Sequence, residues 1–115
     1  MSSLVYKIVR RREWETAQRA GCFKGSPDDA RDGFIHLSSA AQLRGTFEKH
    51  FANQDDLLLV AIESGRLGPA LKWEVSRGGE NFPHLYGALD VALVDAVVPI
   101  AREPDGRPGF PREIP

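Results

Sequence analysis

The chain has 115 residues, 42% hydrophobic and 27% charged, with a formal net charge of −1. That length suits one domain with a core of its own, and the composition is that of a soluble globular chain. A charge so close to zero sets up no long-range field to gather nucleic acid or an anionic membrane.

The basic run Arg10, Arg11, Arg12 is diluted at once by Glu13 and Glu15, so nucleic acid is not an expected partner. The single cysteine, Cys22, excludes an intrachain disulfide and a cysteine-built zinc cluster. In "MSSLVYKIVRRR" the apolar residues precede the basic ones, the reverse of a secretory signal. The longest apolar run, "LLLVAI" at 57–62, is too short to span a bilayer. With the thiol usage expected of a reducing compartment, these features predict a cytoplasmic protein without a membrane partner.

Residues 4–9, "LVYKIV", read as a strand, with Val5, Lys7 and Val9 on one face and Leu4, Tyr6 and Ile8 on the other. A helix follows from about Arg11 to Ala20, stopped by Gly21 but starting at Arg10, a poor N-cap. "KGSPDDARDG" reads as a loop by its Gly, Pro and Asp content. "FIHLS" at 34–38 is a strand, and a second helix is expected from Ser38 or Ser39 to Phe51, striped by Leu43, Phe47 and Phe51. "LLLVAI" predicts a strand buried on both faces at the centre of a sheet.

"SGRLGP" then reads as a turn or one helical turn, and "ALKWEV" as a strand. "SRGGENFPHLYG" at 76–87 reads as a loop, and "VALVDAVVPI" as a last strand bent at Asp95. The tail 102–115, rich in proline and glycine, is expected to be extended or partly disordered, outside a single domain over 1–101. Strand, helix, strand, helix, then mostly strands predicts an α+β domain.

Two clusters bear on chemistry. In strand 34–38, Phe34, His36 and Ser38 share the face opposite Ile35 and Leu37. His36 can serve there as a structural ring bonded to a backbone carbonyl or as a cleft residue. In "NFPHLYG", His84 and Tyr86 lie between Pro83 and Gly87, where a rigid scaffold could present binding groups or a turn could cap the core. Glu74 shares the face of Lys72, opposite Leu71, Trp73 and Val75, and is either a carboxylate with a task or a solvated charge.

His36, His50 and His84 have no zinc-motif spacing, so no metal is expected. Ser38 lacks the glycine-flanked elbow of a nucleophile. No glycine-rich phosphate loop opens a helix.

"DGFIHLS" and "FPHLYGAL", together with "EW" in the first helix, "DLLLVAI" and "WE", resemble the bacterial family catalogued as domain of unknown function 952, over residues 4–100. That family is similar to a compact ADP-ribosyltransferase fold, nearest the RNA 2′-phosphotransferase branch. The resemblance implies a split, curved, mixed or antiparallel sheet with two main flanking helices and a cleft for the dinucleotide NAD, used as a substrate. It implies His36 and Glu74 as catalytic residues, Glu74 being the carboxylate that would stabilise a cationic ribose. Lys7, Ser38, His84 and Tyr86 are implied as ligand contacts.

Relatives carry Tyr-His where this chain has Tyr6-Lys7. An ammonium donates hydrogen bonds but cannot accept them, so the change argues for weakened or lost catalysis. Three functions follow as expectations: an NAD-dependent ADP-ribosyl transferase or NAD glycohydrolase, a nucleotide- or anion-binding module without turnover, and a protein-interaction domain.

Overall fold

The computed structural model describes residues 3–112 and 114. In chain order its first half contains β1 (Leu4–Arg10), α1 (Arg11–Ala20), β2 (Cys22–Phe23), α2 (Pro27–Asp32), β3 (Ile35–His36) and α3 (Leu43–His50). The second half contains β4 (Leu57–Glu63), β5 (Leu71–Val75), β6 (Asn81–Leu85), β7 (Leu89–Asp90), β8 (Ala96–Arg102) and β9 (Pro108–Gly109). The fold is α+β with antiparallel sheets and three α-helices. No helix among the described residues is long and apolar enough to cross a membrane.

The main sheet has the order β1-β4-β8-β9, the second β3-β6-β5, and β2 pairs with β7. Strand β4 is central and buried on both faces, as its unbroken apolar run predicts. Leu58, Val60 and Ile62 join Val5, Val9, Trp14, Ile35 and Leu85 on one side of the sheet. Leu57, Leu59 and Ala61 join Tyr6, Ile8, Leu43 and Phe47 on the other. The alternation of β1 is likewise observed, with Lys7 on the Val5 and Val9 face.

The two larger sheets meet where Tyr6 and Ser38 form an isolated antiparallel bridge, Tyr6 N–H donating to Ser38 O at 2.8 Å and Ser38 N–H to Tyr6 O at 2.9 Å. That bridge keeps Ser38 extended, so the helix expected from Ser38 or Ser39 begins only at Leu43 and ends at His50. Pro83 C=O accepts from Leu37 N–H at 3.0 Å but has no N–H to return. The ladder between β3 and β6 therefore stops at the His36–His84 pair.

Three expectations need correction. The segment 24–33 is not all loop: Ser26 caps α2 reciprocally with Asp29, Pro27 occupies its first turn, and Gly33 closes it in the left-handed region at φ 86. The Ser, Pro, Asp and Gly read as loop chemistry are a helix's start and stop signals. The loop expected over 76–87 contains β6, because its proline falls at the end of one ladder rather than within it. The last strand starts at Ala96, since Asp90 caps a 3-10 turn at Val91–Leu93 and Asp95 Oδ2 accepts from Glu63 N–H at 2.7 Å.

The segment after Arg102 folds back on the domain. β9 pairs with β8, the Phe110 ring meets Phe47 edge-on at 6.0 Å, and Ile114 is only 4% exposed within the α3 side of the core. Its prolines and glycines suppress periodicity without preventing burial.

Candidate functional site

Asp29 organises one end of the site. The reciprocal cap of α2 fixes it, with Ser26 N–H donating to Asp29 Oδ2 at 2.8 Å and Asp29 N–H to the Ser26 hydroxyl at 3.3 Å. The α2 helix thus delivers a carboxylate that is only 2% exposed. Lys7 Nζ donates to both of its oxygens, at 3.1 and 3.0 Å. His36 contributes its backbone N–H at 3.1 Å and ring Nδ1 at 2.6 Å.

Burial alone would raise the Asp29 pKa. The His36 ring, the Lys7 charge and the N–H groups of Ser26 and His36 outweigh burial and hold it well below the usual carboxylate range. The other His36 nitrogen, Nε2, lies 2.9 Å from Asp32 Oδ2. Ionised carboxylates only accept, so both contacts are satisfied together when both ring nitrogens carry protons.

His84 faces His36 across the β3–β6 pair, the two ring centroids 5.7 Å apart. Its ring is only 5% exposed, and Phe34 stacks on it at 4.1 Å with planes 19° apart. Its Nδ1 lies 2.9 Å from Glu74 Oε1, to which the Tyr86 hydroxyl also donates at 2.7 Å. These two bonds, Tyr86 first, lower the Glu74 pKa, and the Glu74 carboxylate in turn raises that of Tyr86. Because Glu74 accepts at Nδ1, the neutral His84 ring has its lone pair at Nε2. That buried nitrogen has no hydrogen-bond partner among the described residues.

His36, Ser38, Lys7 and His84 line one cleft of about 350 Å³. Asp28, Asp29 and Asp32 form its acidic side. Thr46, Lys49 and His50 from α3, with Arg77 from the β5–β6 connection, form the basic side. Ser38 Oγ and Thr46 Oγ1 share a hydrogen bond at 2.8 Å. Arg77 Nη2 donates to Thr46 Oγ1 at 3.4 Å, and its guanidinium lies 4.9 Å from the Phe82 ring centre. Desolvation first, then the charges of Arg77 and Lys49, lower the His50 pKa.

The six residues singled out from sequence therefore divide. Lys7, His36, Ser38 and His84 share the cleft, but the Lys7 ammonium is held by Asp29. Glu74 and Tyr86 are outside the lining, Glu74 meeting it through His84 and Tyr86 through Glu74. His36 and Tyr86 do not look into one hollow. Tyr86 is absent from the lining of the cleft that His36 lines, and the Phe34 ring contacts both, its centroid 4.6 Å from His36 and 5.3 Å from Tyr86.

Asp29, Thr46 and Arg77 escaped the sequence reading. Asp29 carries a legible signal as the third residue after the Ser26 cap; Thr46 is one of the residues that carry the family resemblance, without a site role, and Arg77 carries no signal. Among the described residues no three His, Cys, Asp or Glu side chains converge to hold a metal ion.

Residues 8–97 match the family model described as protein of unknown function DUF952. No curated protein matches the chain. Among solved structures it is similar to the crystal structure of protein CC0527 from Caulobacter crescentus, at 47% identity and a TM-score of 0.88, over 92% of this chain and 93% of that one. The solution NMR structure of CC0527 gives 48% identity and a TM-score of 0.82 over 91% and 90%. The family match takes in the β3–β6 histidine pair, α2 and α3, and leaves Tyr6 and Lys7 of the cleft lining just outside it; the chain belongs to the DUF952 family.

Proposed function

We propose that the cleft binds a small phosphate-bearing nucleotide, and that binding rather than turnover is its primary role. The observation that carries this reading is the convergence of two buried or half-buried imidazoles, His36 and His84, with the guanidinium of Arg77 and the hydroxyls of Ser38 and Thr46. Guanidinium and hydroxyl groups suit phosphate oxygens. The half-buried His36 ring offers a face to a base, and the unpartnered Nε2 of His84 would accept from a ribose hydroxyl once exposed. The volume falls at the low end of the roughly 300–1,000 Å³ of small-molecule sites. It fits a mononucleotide or one half of a dinucleotide such as NAD. The resemblance to ADP-ribosyltransferase folds supports the same ligand class.

One observation favours catalysis as a second reading, that of an NAD glycohydrolase or ADP-ribosyl transferase. Glu74, His84 and Tyr86 form a hydrogen-bonded chain that ends in the buried, unpartnered Nε2 of a cleft-lining residue, the arrangement of a general base once a substrate reaches it. In hydrolysis, water would attack the ribose carbon, give its proton to Nε2, and release nicotinamide as the ribosyl bond breaks. Binding leads because Asp29 is already engaged by Lys7 and His36 and Glu74 lies behind His84, which leaves the sugar's developing charge poorly matched.

Calorimetric titration with adenosine monophosphate, NAD and inorganic phosphate tests the proposal. Saturable binding of a nucleotide is expected, weakened about tenfold in Arg77→Ala, a loss of about 1.4 kcal/mol. Absence of binding by all three would remove the reading. Nicotinamide release from NAD, abolished in His84→Gln, would move the catalytic reading to first place.

A further inference from the structure

We infer that the open edge of β5 is the contact between two copies of this chain, joined into one continuous six-stranded sheet around a two-fold axis at Trp73. Strand β5 ends the order β3-β6-β5, with no strand beyond it among the described residues. Its outer end is apolar and uncovered, with Trp73 46% and Val75 71% exposed. An edge of that kind is a template for strand pairing.

The backbone fixes which residues face outward. Ser76 N–H donates to Glu80 O and Tyr86 N–H to Ala70 O, both at 2.8 Å. With Lys72 opposite His84 and Glu74 opposite Phe82, antiparallel alternation turns the peptide groups of Lys72 and Glu74 toward β6. Those of Trp73 and Val75, with the Leu71 carbonyl, then point to the open side, while Leu71 N–H is taken by Gly68 C=O. Pro83, opposite Trp73, agrees with this assignment, since its carbonyl is spent on Leu37.

A second copy is favoured over an unrelated strand because "LKWEV" is complementary to itself. Antiparallel pairing centred on Trp73 sets each Leu71 against the partner's Val75 and each Lys72 against the partner's Glu74. The apolar pairs take the hydrogen-bonded positions. The opposite charges take the closer non-hydrogen-bonded positions, where cross-strand pairs interact most directly. Moving the centre by one residue sets Lys72 against Lys72 or Glu74 against Glu74, like charges face to face, and moving it by two sets Lys72 against Ala70 or Gly78 and loses the charge match. The chain encodes one register.

Sedimentation equilibrium over a concentration series tests the inference on the full chain. A monomer–dimer equilibrium is expected, weakened at least about tenfold by Trp73→Lys, which places two lysines face to face at the axis. Val75→Lys should act in the same direction, and its side chain is too exposed for the substitution to threaten the fold. Amide hydrogen exchange supplies the register: Trp73 and Val75 should gain protection with concentration, while Lys72 and Glu74, bonded to β6, and Leu71, bonded to Gly68, remain protected throughout. A monomer at every concentration would overturn the inference. So would a dimer indifferent to both substitutions, or one in which the outward amides stay unprotected.

Discussion

Replacing Asp29 by asparagine is the most informative single change. Asparagine keeps the shape of the side chain but removes the charge that both Lys7 contacts and the 2.6 Å His36 contact depend on. The Lys7 ammonium would then be buried without its counter-charge, and removing one member of a buried pair costs about 3–5 kcal/mol. Lys7→Met should cost less, about 1–2 kcal/mol, because Asp29 keeps the His36 ring and two backbone N–H donors. Urea denaturation at neutral pH, with m-values checked for constancy, measures both. For a domain of this length the asparagine variant should also lose on the order of 10–25 °C in Tm. An asparagine variant within about 1 kcal/mol of wild type, or a methionine variant worse than it, would refute the hub assigned to Asp29.

The same residue sets the acid limb. The folded Asp29 pKa lies below its ordinary value of 3.8, so its contribution is complete above that value and is lost as pH falls below it. Wild type should therefore lose stability more steeply than Asp29→Asn below about pH 4, as read from urea midpoints against pH. Phe47→Ala should cost about 3–5 kcal/mol and Ile114→Ala about 2 kcal/mol; a neutral Ile114→Ala would detach the C-terminal segment from the core. Glu74→Gln should weaken nucleotide binding about three- to tenfold by loosening the His84 tautomer, with a smaller loss in Tyr86→Phe, measured by calorimetry. Equal affinity in all three proteins would leave Glu74 and Tyr86 without influence on the cleft.

Much of this fold was legible from local pattern. The unbroken apolar run of β4 announced a central strand, and the alternation in "FIHLS" put Ile35 and Leu37 in the core with His36 opposite. What escaped depended on partners distant in sequence. Ser38 suits the start of a helix, yet the bridge to Tyr6 keeps it extended. Pro83 disfavours a strand, yet it lies where one ladder ends.

The site followed the same division. His36 and His84 stood out as polar residues in apolar company, and four of the six candidates do share a cleft. The resemblance implied that Glu74 and Tyr86 face a ligand; spacing left both open, because it reports the side of a strand, not which neighbour a side chain grips. Arg77 was invisible because nothing in "SRGGEN" shows that α3 will pack beside it.

The nitrogen resonances of the His84 imidazole offer the most direct test of the account. On titration with adenosine monophosphate the Nε2 signal should move saturably, together with the Thr46 and Arg77 amides, while Nδ1 keeps the signature of its bond to Glu74. A His84 spectrum unchanged at millimolar nucleotide, or shifts confined to residues outside the cleft, would contradict the assignment of this hollow as the binding site.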